Sequence, residues 1–264
     1  MIPIKSVLFS YELSPTFSYF PFKFSEIPDI EISINSFLFT NYTFFGQVFG
    51  DKILHIRSEK SKMYFHEKDK KTIICSIYDL LADNSFISES QRIMNRIKID
   101  DCEDFATNPN TSKKKNIRLT IDLMNKKYAP RAMPKESGIS YDKKISGIFE
   151  GIYIKKDEDY LYVNPHFDDS MNLDIAMFFD GISTFFPSEL GEELEFLELE
   201  SKLIFFESKG ETSISAILKK EINPRFMNNY FLNVCKTIHG FEERNALNFN
   251  KLREFFSYYS RMNL

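Results

Sequence analysis

Glu207, Ser208 and Lys209 form an acid-x-Lys triplet, and Glu192 and Glu193 stand a short way upstream. A metal-dependent phosphodiesterase needs carboxylates to hold a hard cation such as Mg²⁺. It often uses a lysine as well, to orient the attacking water or offset developing charge. On a strand, Glu207 and Lys209 project from one face, because side chains alternate. The candidate catalytic groups are therefore Glu207 and Lys209, and the candidate metal ligands Glu192, Glu193 and Glu207. Against this stands a second such triplet, Glu200-Ser201-Lys202, in a chain with 38 acidic and 34 basic residues. The plainer reading makes Glu207 and Lys209 solvent-facing groups at a strand end.

The Glu207/Lys209 pair resembles the acid-x-Lys element of the PD-(D/E)xK nuclease superfamily. The resemblance is confined to the short stretch 188–210. It implies an Mg²⁺-dependent nuclease with Glu207 and Lys209 in the motif strand. The superfamily also carries a separate acidic ligand, usually Asp, just before that strand. Here Asp180 is the candidate, and it lies before Pro187 on a different element.

Two local structures compete for positioning these groups. Ser188 can cap a helix running to about residue 201, with Leu190, Leu194 and Leu197 on one face and Glu189, Glu192 and Glu193 in the first turn. Alternatively 193–199 is a strand that turns at Glu200-Ser201 onto 202–208. The broken alternation and the good helix formers favour the helix. Leu203-Ile204-Phe205-Phe206 reads as a buried strand in either case. Gly210 ends it, Thr212 or Ser213 caps a following helix through Lys220, and Pro224 stops the segment after it.

Other constellations carry less chemistry. Lys113, Lys114 and Lys115, with Lys126, Lys127, Arg131 and Lys135 around Tyr128, are the candidate phosphate or nucleic-acid contacts. The alternative is a solvated surface balancing nearby acids. His55 and His66 lie on strands that could pair, without a third metal ligand. His166, Asp168 and Asp169 could form a base-and-carboxylate group, but Asp168, Asp169 or Ser170 more simply caps the helix 171–186. Cys75, Cys102 and Cys235 are odd in number and widely spaced, so neither a zinc site nor a disulfide framework is expected.

Along the chain, residues 1 to about 74 read as β, with strands at 16–24, 31–39, 43–49, 52–57, 63–66 and 72–77. A helix follows from Ser88 or Ser90 to about 97. Residues 101–116 read as an exposed loop or linker, and 117–124 (IRLTIDLM) as a strand. A hairpin joins 145–154 to 160–163, and helices are expected at 171–186, 225–238 and from Asn248 or Asn250 onward. No internal repeat stands out. The expected fold class is α+β: a β-rich N-terminal region (1–100, an antiparallel meander or small barrel, with a terminal helix), then a mixed region (117–264) ending in helices.

Composition narrows function by exclusion. The net charge of −4 argues against a chain held to nucleic acid by bulk charge, although a local basic patch remains open. Nine glycines and no GxGxxG, HExxH or GxSxG leave common enzyme classes without their signatures. Aromatic content is high, with 28 Phe and 13 Tyr. No signal peptide or membrane-spanning run is expected, so the chain reads as cytoplasmic. The leading expectation is a protein that binds another macromolecule, such as an inhibitor, an immunity protein or an accessory subunit of a larger microbial or viral assembly. It needs no cofactor. The alternatives are the Mg²⁺-dependent nuclease and a non-catalytic nucleic-acid binder.

Overall fold

The chain divides into two compact units, Met1–Ser137 and Gly138–Leu264. The computed structural model describes residues 3–12, 14–21, 30–68, 71–96, 112–128, 149–210, 212–220, 224–244 and 246–259. The fold class is α+β, and within each unit the strands pair antiparallel.

Unit 1 runs β1 (Ile4–Tyr11), β2 (Ser14–Tyr19), α1 (Ile30–Phe49), β3 (Ile53–Ser58), β4 (Ser61–Glu67), β5 (Thr72–Asp79), α2 (Asn84–Arg96) and α3 (Ser112–Lys127). Its strands lie in the order β2-β1-β5-β4-β3. One sheet face, with Ile4, Val7, Phe9, Ile74 and Tyr78, packs against Ile87 and Met94 of α2 and Ile117 and Ile121 of α3. On the other face Phe65 meets Phe39 and Tyr42 of α1, with ring centroids 6.5 and 5.7 Å apart. Because helices cover both faces, β5 is buried at every position except Asp79.

Unit 2 runs β6 (Phe149–Lys156), β7 (Asp159–Val163), α4 (Asp169–Phe185), β8 (Leu194–Leu199), β9 (Lys202–Lys209), β10 (Thr212–Lys219), α5 (Pro224–Glu242) and α6 (Phe249–Tyr259). Its strand order is β7-β6-β10-β9-β8. Leu203, Phe205, Ile214 and Ala216 face α5 and α6. Phe206 and Tyr153 face Phe179 of α4, at 5.5 and 5.2 Å. The unbroken Leu-Ile-Phe-Phe run is therefore a strand buried on both sides, as the sequence reading expects.

The two units repeat one plan. Each has the order ββαβββαα and the same strand neighbours. Finer features also coincide. The tight first hairpin turns through a non-glycine residue at positive φ in both, Glu12 (φ 47°) and Asp157 (φ 53°). The helical segment that follows closes on a left-handed glycine, Gly50 (φ 61°) directly after α1 and Gly191 (φ 63°) after a π-helical turn, Phe186–Leu190, that continues α4. The first strand is bulged at matching places, around Lys5 and around Glu150. Ile34, Leu38, Tyr42 and Phe45 of α1 are buried at the positions of Ile175, Phe179, Ser183 and Phe186. The repeat escapes a reading of the letters because packing positions are kept while residue identities are not.

Several elements differ from the sequence expectation, each for a physical reason. Residues 30–49 form one helix and not the strands 31–39 and 43–49. So many positions are apolar there that alternation and helical spacing both fit, and the i, i+4, i+7, i+11 set Ile34, Leu38, Phe45 with Asn41 is the one buried. Residues 117–124 lie in helix α3, which bears Ile117 and Ile121 inward and leaves Leu119 and Leu123 in solvent. Residues 112–116, expected in a linker, begin that helix, and 101–111 lie outside the described residues. Residues 194–199 form strand β8 and not the favoured helix, because Leu194 and Phe196 are buried along with Leu197 and Leu199. Residues 212–219 form strand β10 and not a helix, turned tightly off β9 through Gly210 at φ 64°. The Asp168 cap of α4 and the Asn248-led α6 fall where the sequence places them, and the expected hairpin forms between β6 and β7 with its turn shortened to Asp157-Glu158, since Lys155 and Lys156 pair with Tyr160 and Asp159; residues 145–148 lie outside the described residues.

Candidate functional site

Glu207 sits near the end of β9 on the face covered by α5. Helical spacing on α5 brings His239 and Glu242 to the same place, one turn apart. Glu207 Oε2 lies 2.9 Å from His239 Nε2, and Glu242 Oε2 lies 3.2 Å from His239 Nδ1. The ring is thus held between two carboxylates, and both bonds form when both ring nitrogens carry a proton to donate. Thr212 on β10 donates its hydroxyl to Glu242 Oε1 at 2.5 Å, and Lys156 on β6 stands 3.9 Å from the same oxygen. Burial alone would push the Glu242 carboxyl up. The hydrogen bonds from Thr212 and His239, with the charge of Lys156, outweigh it and leave the group below the usual carboxylate range. One turn before His239, burial and then the charge of Glu207 push the Cys235 thiol up, so it is no ready nucleophile.

This cluster borders a cleft of about 300 Å³ that also exposes Lys209, Lys236 and Glu243. Glu207 and Lys209 therefore line one cleft, as their spacing on a strand requires. Glu192 is buried just after Gly191, while Glu193 is exposed. Among the described residues no three of His, Cys, Asp or Glu are placed to hold a metal ion, so Glu192, Glu193 and Glu207 do not converge. Asp180 instead binds Lys155 at 3.0 Å and accepts from Tyr160 at 3.1 Å. His239 has no ring nitrogen left over for base catalysis. The arrangement acts as a clamp that fixes the C-terminal half of α5 to β9 and β10. The sequence signal for it was the His239-x-x-Glu242 spacing, hidden by ending the helix at Gly240.

The predicted basic residues divide. Lys115, Lys126 and Lys127 are exposed on α3, together with Arg118. Lys114 is turned inward and 6% exposed, and burial, then the charge of Arg118, lowers its pKa. Lys113 lies in α3. Tyr128 packs against Phe86, with centroids 4.6 Å apart. Arg131 and Lys135 lie outside the described residues. Between the exposed cations, Leu119 and Leu123 are 58% and 46% exposed. His55 stacks on Tyr64 at 4.4 Å and so is paired with an aromatic ring. Asp168 caps α4 through Met171 N at 2.8 Å, the simpler of the two roles weighed for it.

Compared with protein-family models and with curated proteins, the chain matches none. No helix among the described residues is long and apolar enough to cross a membrane.

Proposed function

We propose that this protein works in the cytoplasm by binding another protein, as an inhibitor, immunity protein or accessory subunit does, and that it needs no cofactor. The observation that carries the reading is the outer face of α3, where Leu119 and Leu123 stand in solvent one turn apart with Lys115, Arg118, Lys126 and Lys127 around them. Apolar side chains at the centre of a charged rim have the composition of an interaction patch. Covering the exposed halves of the two leucines contributes about 1.5–3 kcal/mol, a change of roughly ten- to a hundredfold in affinity. Although the chain as a whole is mildly acidic, this face is basic and suits an acidic partner surface.

The test is affinity purification from the native cell with wild type and with Leu119→Asp/Leu123→Asp, both first checked for equal melting temperature. A stoichiometric partner recovered by wild type and lost by the double variant is expected. Recovery of the same partner by both, or of none by wild type, refutes the reading. One observation favours the nuclease alternative, the shared cleft of Glu207 and Lys209. Mg²⁺- or Mn²⁺-dependent cleavage of DNA or RNA, abolished by Glu207→Ala and by Lys209→Ala, would replace the binding reading. Non-catalytic nucleic-acid binding through Lys115, Lys126 and Lys127 predicts an affinity that falls steeply with added salt.

A further inference from the structure

Two helices of this chain show solvent an apolar stripe, and the charges around the two stripes are opposite. On α3 the stripe runs Lys115, Leu119, Leu123 and Lys126, one helical face with the leucines at its centre. The helix carries six cations. Its one acid, Asp122, accepts from the Tyr19 hydroxyl at 2.7 Å and so is taken within unit 1. On α4 the outward stripe runs Asp169, Leu173, Met177 and Gly181, all exposed, with Leu173 at 39% and Met177 at 54%. That helix has no cation, and its acids are Asp169, Asp174 and Asp180. Lys155 holds Asp180, whereas Asp169 and Asp174 stand in solvent. None of Asp169, Asp174, Lys115, Lys126 and Lys127 has an ion pair among the described residues.

The inner side of α4 is fixed without help from this stripe. Tyr153 donates to Asn172 Oδ1 at 3.0 Å, Asn164 Nδ2 donates to the Tyr153 hydroxyl at 3.0 Å, and Asn164 Oδ1 accepts from His166 N at 3.0 Å. The outer stripe is therefore free to serve something other than the fold. Gly181 points the same way. Glycine weakens a helix interior, yet a Cβ at this position would meet no atom within 4 Å. On an outward stripe it lets a second backbone come close.

We propose that the α3 stripe of one copy docks on the α4 stripe of a second copy, a head-to-tail pairing that rests on the reading of α3 as an interaction face and supplies the acidic surface it suits. Leu119 and Leu123 cover Leu173 and Met177, and the lysines at the ends of the α3 stripe meet Asp169 and Asp174. Pairing α3 with α3, or α4 with α4, would set like charges together. After one such contact each chain still has a face to offer, so assembly grows with concentration unless it closes on itself. One helix pair buries less than a standard interface, which sets the dissociation constant on the order of 100 μM.

Sedimentation equilibrium of the full chain, from about 1 μM to about 1 mM, is the test. The average mass of wild type should rise above one chain with concentration, and less so at high salt. Leu119→Asp/Leu123→Asp and Leu173→Gln/Met177→Gln, each first checked for an unchanged melting temperature, should weaken self-association by about tenfold or more. Mixed in equal amounts, the two variants still offer one intact α3 and one intact α4, and should form a pair that stops at two chains. Gly181→Gln should keep or raise the melting temperature while weakening self-association by about threefold or more. The docking is overturned by a wild type that stays a single chain at about 1 mM, by self-association equal to wild type in either double variant, or by variants that do not pair when mixed. In the first case the α3 reading still stands if affinity purification recovers a foreign protein that Leu119→Asp/Leu123→Asp loses. Recovery of no foreign protein by a wild type that does self-associate refutes that reading and leaves the docking in place.

Discussion

His66 on β4 gives a stability prediction that can be worked through. Both of its ring nitrogens are buried and neither has a hydrogen-bond partner among the described residues. Burial, then the charge of Lys68, lowers its pKa from 6.5 to about 4. The folded value lies below the unfolded one, so between these pH values the unfolded chain binds more protons. The contribution of the neutral ring is complete above pH 6.5 and is lost as pH falls towards 4. The depression corresponds to about 3 kcal/mol in full, of which roughly 2 kcal/mol is gone by pH 5. The perturbation is His66→Leu, which keeps an apolar group in the site and removes the proton. Urea unfolding of wild type and variant at pH 7.5 and at pH 5 isolates the effect, because every other titrating group is common to both. Wild type should lose about 2 kcal/mol more than the variant on acidification. Equal losses would refute the claim that this ring is buried neutral.

Two further outcomes concern the other unit. Glu242→Gln weakens the clamp to His239 and should cost roughly 1–2 kcal/mol at neutral pH, read by urea unfolding. Because the folded Glu242 carboxyl lies below its usual range, its contribution is present above the unfolded carboxylate pKa and is lost as pH falls through the folded value, so the gap between wild type and variant should close in acid. Gly151→Ala sets a methyl group 2.8 Å from Asn164 Nδ2. It should break the Tyr153–Asn164–Asn172 network at a cost of about 2 kcal/mol or more, with loss of amide protection at His166 as the local readout.

What the sequence disclosed depended on whether a local signal had one physical meaning. The Asp168 cap sits between a strand and a helix and read correctly, whereas the polar run at 155–159 marked the hairpin but overstated its turn, which is only Asp157-Glu158 because Lys155 pairs with Tyr160 and Lys156 with Asp159. Leu119 and Leu123 misled because a helix that exposes leucines imitates an alternating strand. Their exposure is the same fact that makes α3 the candidate interaction face. Glu193–Leu199 misled in the other direction, since a strand buried on both faces loses its alternation. Of the site, the shared face of Glu207 and Lys209 was legible from a spacing of two. The clamp was not, because it joins β9 to α5 across 32 residues of sequence.

The repeated plan separates residues that hold the fold from residues free to change. At the bulge of the first strand, Lys5 Nζ reaches Lys60 O at 2.7 Å and Ser61 Oγ at 2.8 Å, whereas in unit 2 Lys202 Nζ reaches Glu150 at 2.7 Å. The cation has moved from one partner to the other while the contact across the sheet has stayed, as a structural requirement would dictate. His66 and Glu207 occupy matching positions and share nothing of the kind, one a buried ring without a hydrogen-bond partner among the described residues, the other a carboxylate bound to His239.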